Sequence, residues 1–350
     1  MPAASPRPAL SSRSVRARRT LTVAPVVLAA LTLAACGGTS SPGASGAATP
    51  PSASPTSAYP LTIDNCGTSV TFEAAPTRVV TVKSSTTEML LALGAGDTIV
   101  GTAFPDGPAP EPWTEAAAAV PVISDKVPSN EVVLAEEPDL VYAGWESVFS
   151  ADGAGERPAL EALGVRTLVA PSACKEKQYR PDPLTFDDVF AEITQIGAIM
   201  DRSADAEALV ATQRADLETV VRDTRGLSAL WFSSGSDTPY VGGGIGAPAL
   251  IMETAGLTNI AADIDDSWGP MGWEAVAAAD PDVIVLVDSP WNSAEKKIGI
   301  LEGSPVTAEL SAVKNEAYVV VPFPATEAGV RTVSAAASVA DQLTKLTFED

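Results

Sequence analysis

Side chains able to do chemistry are unevenly represented in this chain, and the residue that matters most by its absence is histidine. None occurs among 350 residues. Ser-His-Asp and Cys-His nucleophilic catalysis, imidazole metal ligands and axial haem histidines are therefore excluded. What remains is an aromatic and cationic set suited to binding. Trp145, Trp268 and Trp291 sit among Gly, Ser, Asp and Pro near predicted strand ends, where indoles can stack on a planar ligand. Lys83, Lys175 and Arg331 occupy similar loops and offer charge to a phosphate or carboxylate. Ser84, Phe104, Tyr240 and Phe323 complete the candidate ligand-binding residues. The alternatives are core packing for the indoles, which we prefer for Trp231 and Trp273, and plain solvation for the cations.

Other chemical signals are weaker. Val241-Gly-Gly-Gly-Ile-Gly-Ala247 contains a G-x-G-x-x-A match, with Asp263 at a suitable distance for a ribose. Only Tyr240-Val241 precedes it, too little strand for a dinucleotide fingerprint, so the expected element is a loop into a helix begun by Pro248 whose free N–H groups suit an anion. Asp263, Asp265 and Asp266 lack the alternation of a calcium loop and read as solvated. No G-x-S-x-G elbow is present, and no metal or cofactor is expected.

Charge narrows the partners. The formal net charge is -22, and five arginines (Arg7, Arg13, Arg16, Arg18, Arg19) precede the first acidic residue, Asp64. From Cys36 onward 17 basic groups face 44 acidic ones, a net of -27. Such a surface repels phosphate backbones, so nucleic acid is excluded as a partner.

Residues 1–35 read as a signal peptide: an arginine-rich start, the apolar run Leu21 to Ala35, then Leu33-Ala34-Ala35-Cys36. That last stretch resembles a bacterial lipobox, which makes Cys36 the lipidated residue and the mature protein extracytoplasmic and anchored to the cell membrane. Residues 36–58, rich in Gly, Ser, Ala, Thr and Pro, form a flexible tether. In an exported protein the remaining Cys66 and Cys174 fit one disulfide closing a loop of about 109 residues. The alternative is two buried thiols.

The folded part starts near Tyr59 and alternates β-branched runs with helical patterns, an α/β arrangement. Strands are expected at 79–82, 98–101, 140–143, 166–170, 229–232, 283–287 and 318–321. An internal repeat organises them. Glu131-Val-Val-Leu-Ala-Glu-Glu-Pro138-Asp139-Leu-Val141 matches Glu274-Ala-Val-Ala-Ala-Ala-Asp-Pro281-Asp282-Val-Ile284, each reading as a short helix, a Pro-Asp break and a strand. A glycine-stopped helix precedes each copy, at Gly94 and Gly256. The reading is two similar lobes, 59–202 and 226–350, joined by one long helix over 203–225 whose stripe is Ala206, Leu209, Val210, Gln213, Leu217, Val220 and Val221.

The lipobox, the tether, Pro76-Thr-Arg78-Val-Val-Thr-Val, Thr86-Thr87-Glu88-Met-Leu-Leu-Ala-Leu-Gly94, the Glu131 to Val141 block and a single connecting helix together resemble the substrate-binding lipoproteins of ABC importers for iron-siderophores and cobalamin. The resemblance covers Tyr59 to the C-terminus. It implies two Rossmann-like lobes with a ligand cleft between them, little hinge motion, and a monomer serving a permease dimer. Phe104-Pro-Asp-Gly107, Ser124-Asp-Lys-Val-Pro128, Gly144-Trp-Glu-Ser147, Ala173-Cys-Lys175 and the stretch Pro322 to Arg331 further resemble an actinobacterial subgroup labelled coenzyme F(420)-0 importers, which implies a deazaflavin precursor as ligand. Ferric siderophore or cobalamin is the alternative within the family. A surface hydrolase working through carboxylates is the alternative from another class. By the same resemblance Glu131 and Glu274 match the two acidic residues, one per lobe, that dock onto permease arginines. As isolated residues each is also an ordinary early-helix glutamate favoured by the macrodipole.

Overall fold

The computed structural model describes residues Tyr59–Phe348. The expected signal peptide, Cys36 and the expected tether lie outside the described residues. The chain first forms an antiparallel hairpin of β1 (Leu61–Asn65) and β2 (Thr68–Phe72), turned at Cys66 and Gly67, both in positive φ. It then alternates strand and helix: β3 (Val79–Val82), α1 (Ser84–Ala92), β4 (Ile99–Ala103), α2 (Thr114–Ala119), β5 (Val122–Ser124), α3 (Asn130–Ala135), β6 (Leu140–Ala143), α4 (Arg157–Ala162) and β7 (Arg166–Val169). These strands make a wholly parallel sheet ordered β5-β4-β3-β6-β7. Both central strands, β3 and β6, are buried at every residue. Helices on both faces require this, which is why neither strand alternates apolar with charged residues.

An αα-hairpin, α5 (Phe186–Ile199) and α6 (Ser203–Glu218), leads to the second lobe. There follow β8 (Ser228–Ser234), β9 (Tyr240–Gly242), α7 (Ala247–Ala255), β10 (Thr258–Asn259), β11 (Trp268–Pro270), α8 (Trp273–Ala279), β12 (Val283–Asp288), α9 (Ala294–Gly303), α10 (Ser311–Lys314), β13 (Tyr318–Pro322) and α11 (Thr332–Leu343). The sheet order is β11-β9-β8-β12-β13, with β10 also on β8. β8, β10, β12 and β13 run parallel, whereas β9 and β11 are antiparallel additions at one edge.

The repeat read in the sequence is geometric. α3–β6 and α8–β12 are the same unit, and the aspartate after each proline does the same work. Asp139 accepts hydrogen bonds from the N–H groups of Thr77 and Arg78 and from the Thr77 hydroxyl, at 2.8 to 3.0 Å, just before β3. Asp282 accepts from the N–H and hydroxyl of Ser228, both at 2.7 Å, where β8 begins. Each aspartate therefore pins the start of the neighbouring central strand.

The connecting helix differs from expectation. It ends at Glu218, seven residues before Arg225, and it pairs with α5 instead of standing alone. Thr219, Val220 and Val221 are three successive β-branched residues, poor helix formers, and the chain leaves the helix there. Beyond them Asp223 donates its N–H to Ala255 at the end of α7, so this segment is held by the second lobe. Of the expected stripe, Ala206 and Gln213 are buried and Val221 is 77% exposed. The apolar core that backs α1 is continuous through α5, α6 and α7 to α11, so the two lobes share packing.

Cys66 and Cys174 are bonded, with Cα atoms 5.3 Å apart. The bridge ties the hairpin turn to the loop after β7. Replacing both cysteines by serine is expected to lower unfolding free energy by about 2 to 4 kcal/mol, through loss of the closed loop. Urea denaturation checks this, and an unchanged midpoint would contradict it.

Candidate functional site

The seam between the lobes holds an unusual density of buried charge. Lys83 lies between β3 and α1 with φ of 88° and is fully buried. Its ammonium pairs with Asp106, lies 3.6 Å from the Glu327 carboxylate of the second lobe, and sits 3.9 to 4.6 Å from the ring centres of Phe104, Trp145 and Phe323. Asp106 also accepts the Ser84 N–H, and Ser85 donates its hydroxyl to Glu327 at 2.8 Å. Nearby, Arg331 at the start of α11 crosses to Glu88 on α1 through two 2.6 Å hydrogen bonds and donates a third to the Pro108 carbonyl. Trp291 leans on Phe104 and Phe323, with ring centres 5.9 and 5.4 Å away.

Burial dominates the acids of this seam. Glu88 is pushed up to about 7 by desolvation, against the pull of Arg331. Glu327 is likewise raised to about 7 by burial, against the pull of Lys83. In the first lobe's core Glu192 reaches about 7 for the same reason, although Tyr142 donates its hydroxyl to it at 2.9 Å.

Beside this seam opens a cavity of about 300 Å³. It lies past the C-terminal ends of β6 and β7, the place where open α/β sheets take ligands. Its first-lobe wall carries Trp145, Lys175 and Arg180; its second-lobe wall carries Tyr240, Trp268 and Glu327. The loop bearing the cations is anchored by the Cys66–Cys174 bridge. Arg180 reaches across to Asp266 at 3.1 Å, and Lys177 pairs with Asp265 beside it. The arrangement can bind and orient a small ligand. Among the described residues no group of three Cys, Asp or Glu side chains is placed to hold a metal ion.

Of the candidate residues, Trp145, Lys175, Tyr240 and Trp268 are brought together on the cavity wall. Phe104, Phe323 and Trp291 join Trp145 in the aromatic cluster over Lys83 instead. Lys83 and Arg331 are corrections. Their charges are met by carboxylates inside the seam, so neither is presented to a ligand. Ser84 is a third correction, since it is buried with its N–H on Asp106 and does not line the cavity. The glycine run is explained by packing: a Cβ on Gly243 or Gly244 would lie 2.1 Å from the carbonyl oxygens of Asp266 or Ala262, and the two N–H groups already bond to Ser267 and Ile264. Only glycine allows that approach. Asp265 and Asp266 are ion-pair partners of Lys177 and Arg180 rather than simply solvated. Trp231 is fully buried and Trp273 packs edge-on against Phe232. The residue overlooked was Arg180. Its signal was a cation cluster, Lys175, Lys177 and Arg180, directly after Cys174 in a strongly acidic chain.

Residues 79–325 match the family model described as "Periplasmic binding protein". The chain belongs to the periplasmic binding protein family. The family is one of substrate-binding proteins that serve ABC transporters, not of enzymes. Across 93% of this chain and 98% of the relative, it is 27% identical to an uncharacterized ABC transporter substrate-binding lipoprotein, YvrC, of Bacillus subtilis. It is 27% identical to a cobalamin-binding protein of Halobacterium salinarum over 65% of this chain and 58% of that one. Among solved structures it resembles an ABC-type Fe3+-hydroxamate transport protein of Saccharomonospora viridis, with a TM-score of 0.70, 29% identity, and coverage of 81% and 99% of the two chains.

One buried acid makes stability depend on pH in a definite direction. Glu192, raised to about 7 by burial with only the Tyr142 hydroxyl as partner, keeps its proton to a higher pH in the folded protein than in the unfolded chain. Its contribution is complete below the ordinary carboxylate range and is lost as pH rises through about 7. The thermal midpoint is therefore expected to fall by several degrees between about pH 5 and pH 8, and Glu192→Gln should flatten that slope. A midpoint that rises over the same interval would contradict the assignment.

Proposed function

We propose that the protein is the lipid-anchored, extracytoplasmic receptor of an ABC importer, and that its ligand is a small planar organic anion of the deazaflavin-precursor type. The observation that carries the ligand reading is the cavity wall, where two indoles and a tyrosine stand with Lys175 and Arg180, alongside the carboxylates of Glu146, Asp266 and Glu327. Its volume of about 300 Å³ lies at the small end of ligand sites, which suits one ring system better than a corrinoid or a wrapped ferric complex. The anchor rests on Cys36 and the tether after it. The names of the cobalamin-binding relative and the hydroxamate transport structure support the second reading, a metal complex of either kind.

Docking is proposed through Glu131 and Glu274. Both are exposed, and they occupy equivalent places in the first turns of α3 and α8, so one acidic contact comes from each lobe. This suits a permease dimer that presents the same arginines twice.

Titration of the purified protein against a deazaflavin precursor, a ferric siderophore and cobalamin, followed by tryptophan quenching, separates the ligand readings. Saturable quenching by the deazaflavin is expected; tight binding of either metal complex without response to the deazaflavin would overturn the choice. In cells, Glu131→Ala with Glu274→Ala should remain on the membrane and bind ligand yet abolish uptake, whereas Cys36→Ser should be shed from the membrane. Normal uptake by the double variant, or membrane retention of the serine variant, would refute the corresponding part.

A further inference from the structure

We infer that Arg180 is the residue that reads the acidic group of the ligand, and that it does so by exchanging Asp266 for a ligand oxygen. The inference rests on the planar anionic ligand proposed above and names the side chain that selects it. Arg180 lies in the cavity wall with its side chain only 10% exposed. A guanidinium so far out of water keeps its donors filled or leaves them at a cost. One nitrogen meets Asp266 at 3.1 Å, whereas Nε is buried with no hydrogen-bond partner. The planar fork therefore has donor capacity left over beneath a wall that carries Trp145, Trp268 and Lys175 as well as Glu146 and Glu327. A carboxylate or phosphate can take two donors from such a fork at once, which a single Asp266 oxygen does not.

The partner is built to let go. Asp266 is 47% exposed, so water can solvate it when the arginine leaves, and the oxygen facing Arg180 already accepts the Ser267 N–H at 2.7 Å. Beside it the exposed Lys177–Asp265 pair still joins the same two loops. Loss of the Arg180–Asp266 contact thus leaves the rim joined. Asp266 acts as a stand-in anion at one nitrogen of the fork. An uncharged ligand of the same shape gives Arg180 nothing to exchange for it.

A matched pair of probes tests this: flavin mononucleotide and riboflavin carry one ring system and differ in the phosphate. By tryptophan quenching the wild-type protein should prefer the mononucleotide by at least about tenfold, as charge-assisted bonds to a guanidinium imply. Arg180→Gln should abolish that preference while changing riboflavin affinity less than about threefold, the share left to ring stacking. Asp266→Asn, which removes the competing charge, should strengthen mononucleotide binding several-fold. A merely structural rim pair would behave otherwise, since both variants would then weaken both probes together. That parallel loss, or equal wild-type affinity for the two flavins, overturns the role of Arg180 while leaving the planar ligand standing. Failure of the wild-type protein to bind either flavin overturns both.

Discussion

Lys83 and Arg331 carry full charges into the seam between the lobes, where water cannot solvate them, and each is met there by a carboxylate from the opposite lobe. Transferring such ions from water costs several kcal/mol apiece, and only close, well-bonded partners offset that cost. The bidentate Arg331–Glu88 contact and the enclosure of Lys83 by Asp106, Glu327 and three aromatic rings supply them. Pairs of this kind add little net stability. Removing one partner, however, strands a buried charge at a cost of about 3 to 5 kcal/mol, so any arrangement of the lobes that separates the partners is penalised. The seam acts as a specification of geometry.

The cavity inherits that geometry. Trp145 and Glu327 belong both to the charged seam and to the cavity wall, so the surface a ligand meets is set by the contacts that hold the lobes. With a continuous apolar core behind α5, α6, α7 and α11, both walls of the cavity are backed by the same packing. In the docking proposed through Glu131 and Glu274, one point on each lobe, shared packing of this kind serves better than a hinge.

Much of the fold was legible in the residues because several local rules agreed. β3 was readable as a β-branched run and β6 as an apolar one since both their faces are covered, and the Pro-Asp steps marked where β6 and β12 begin because Asp139 and Asp282 each pin the strand beside them. Helix stops at Gly94 and Gly256 followed from positive φ at both. The end of α6 was misread because an apolar stripe says nothing about which lobe the last turn will join. Lys83 and Arg331 were misassigned for a deeper reason: Arg331 finds Glu88 at a sequence separation of 243, and no local pattern announces a partner so distant. Arg180 escaped notice because its loop has no periodicity to lend it a direction.

The proposed function has a small organic anion held between the two lobes. Native mass spectrometry of the full-length protein, released gently from the membranes of its own host, examines that claim with no choice of probe. The account predicts an added mass of one organic ligand, lost in stoichiometric amount on denaturation, with a planar chromophore and an acidic group and without metal. A bound corrinoid or iron complex at the same stoichiometry would contradict it.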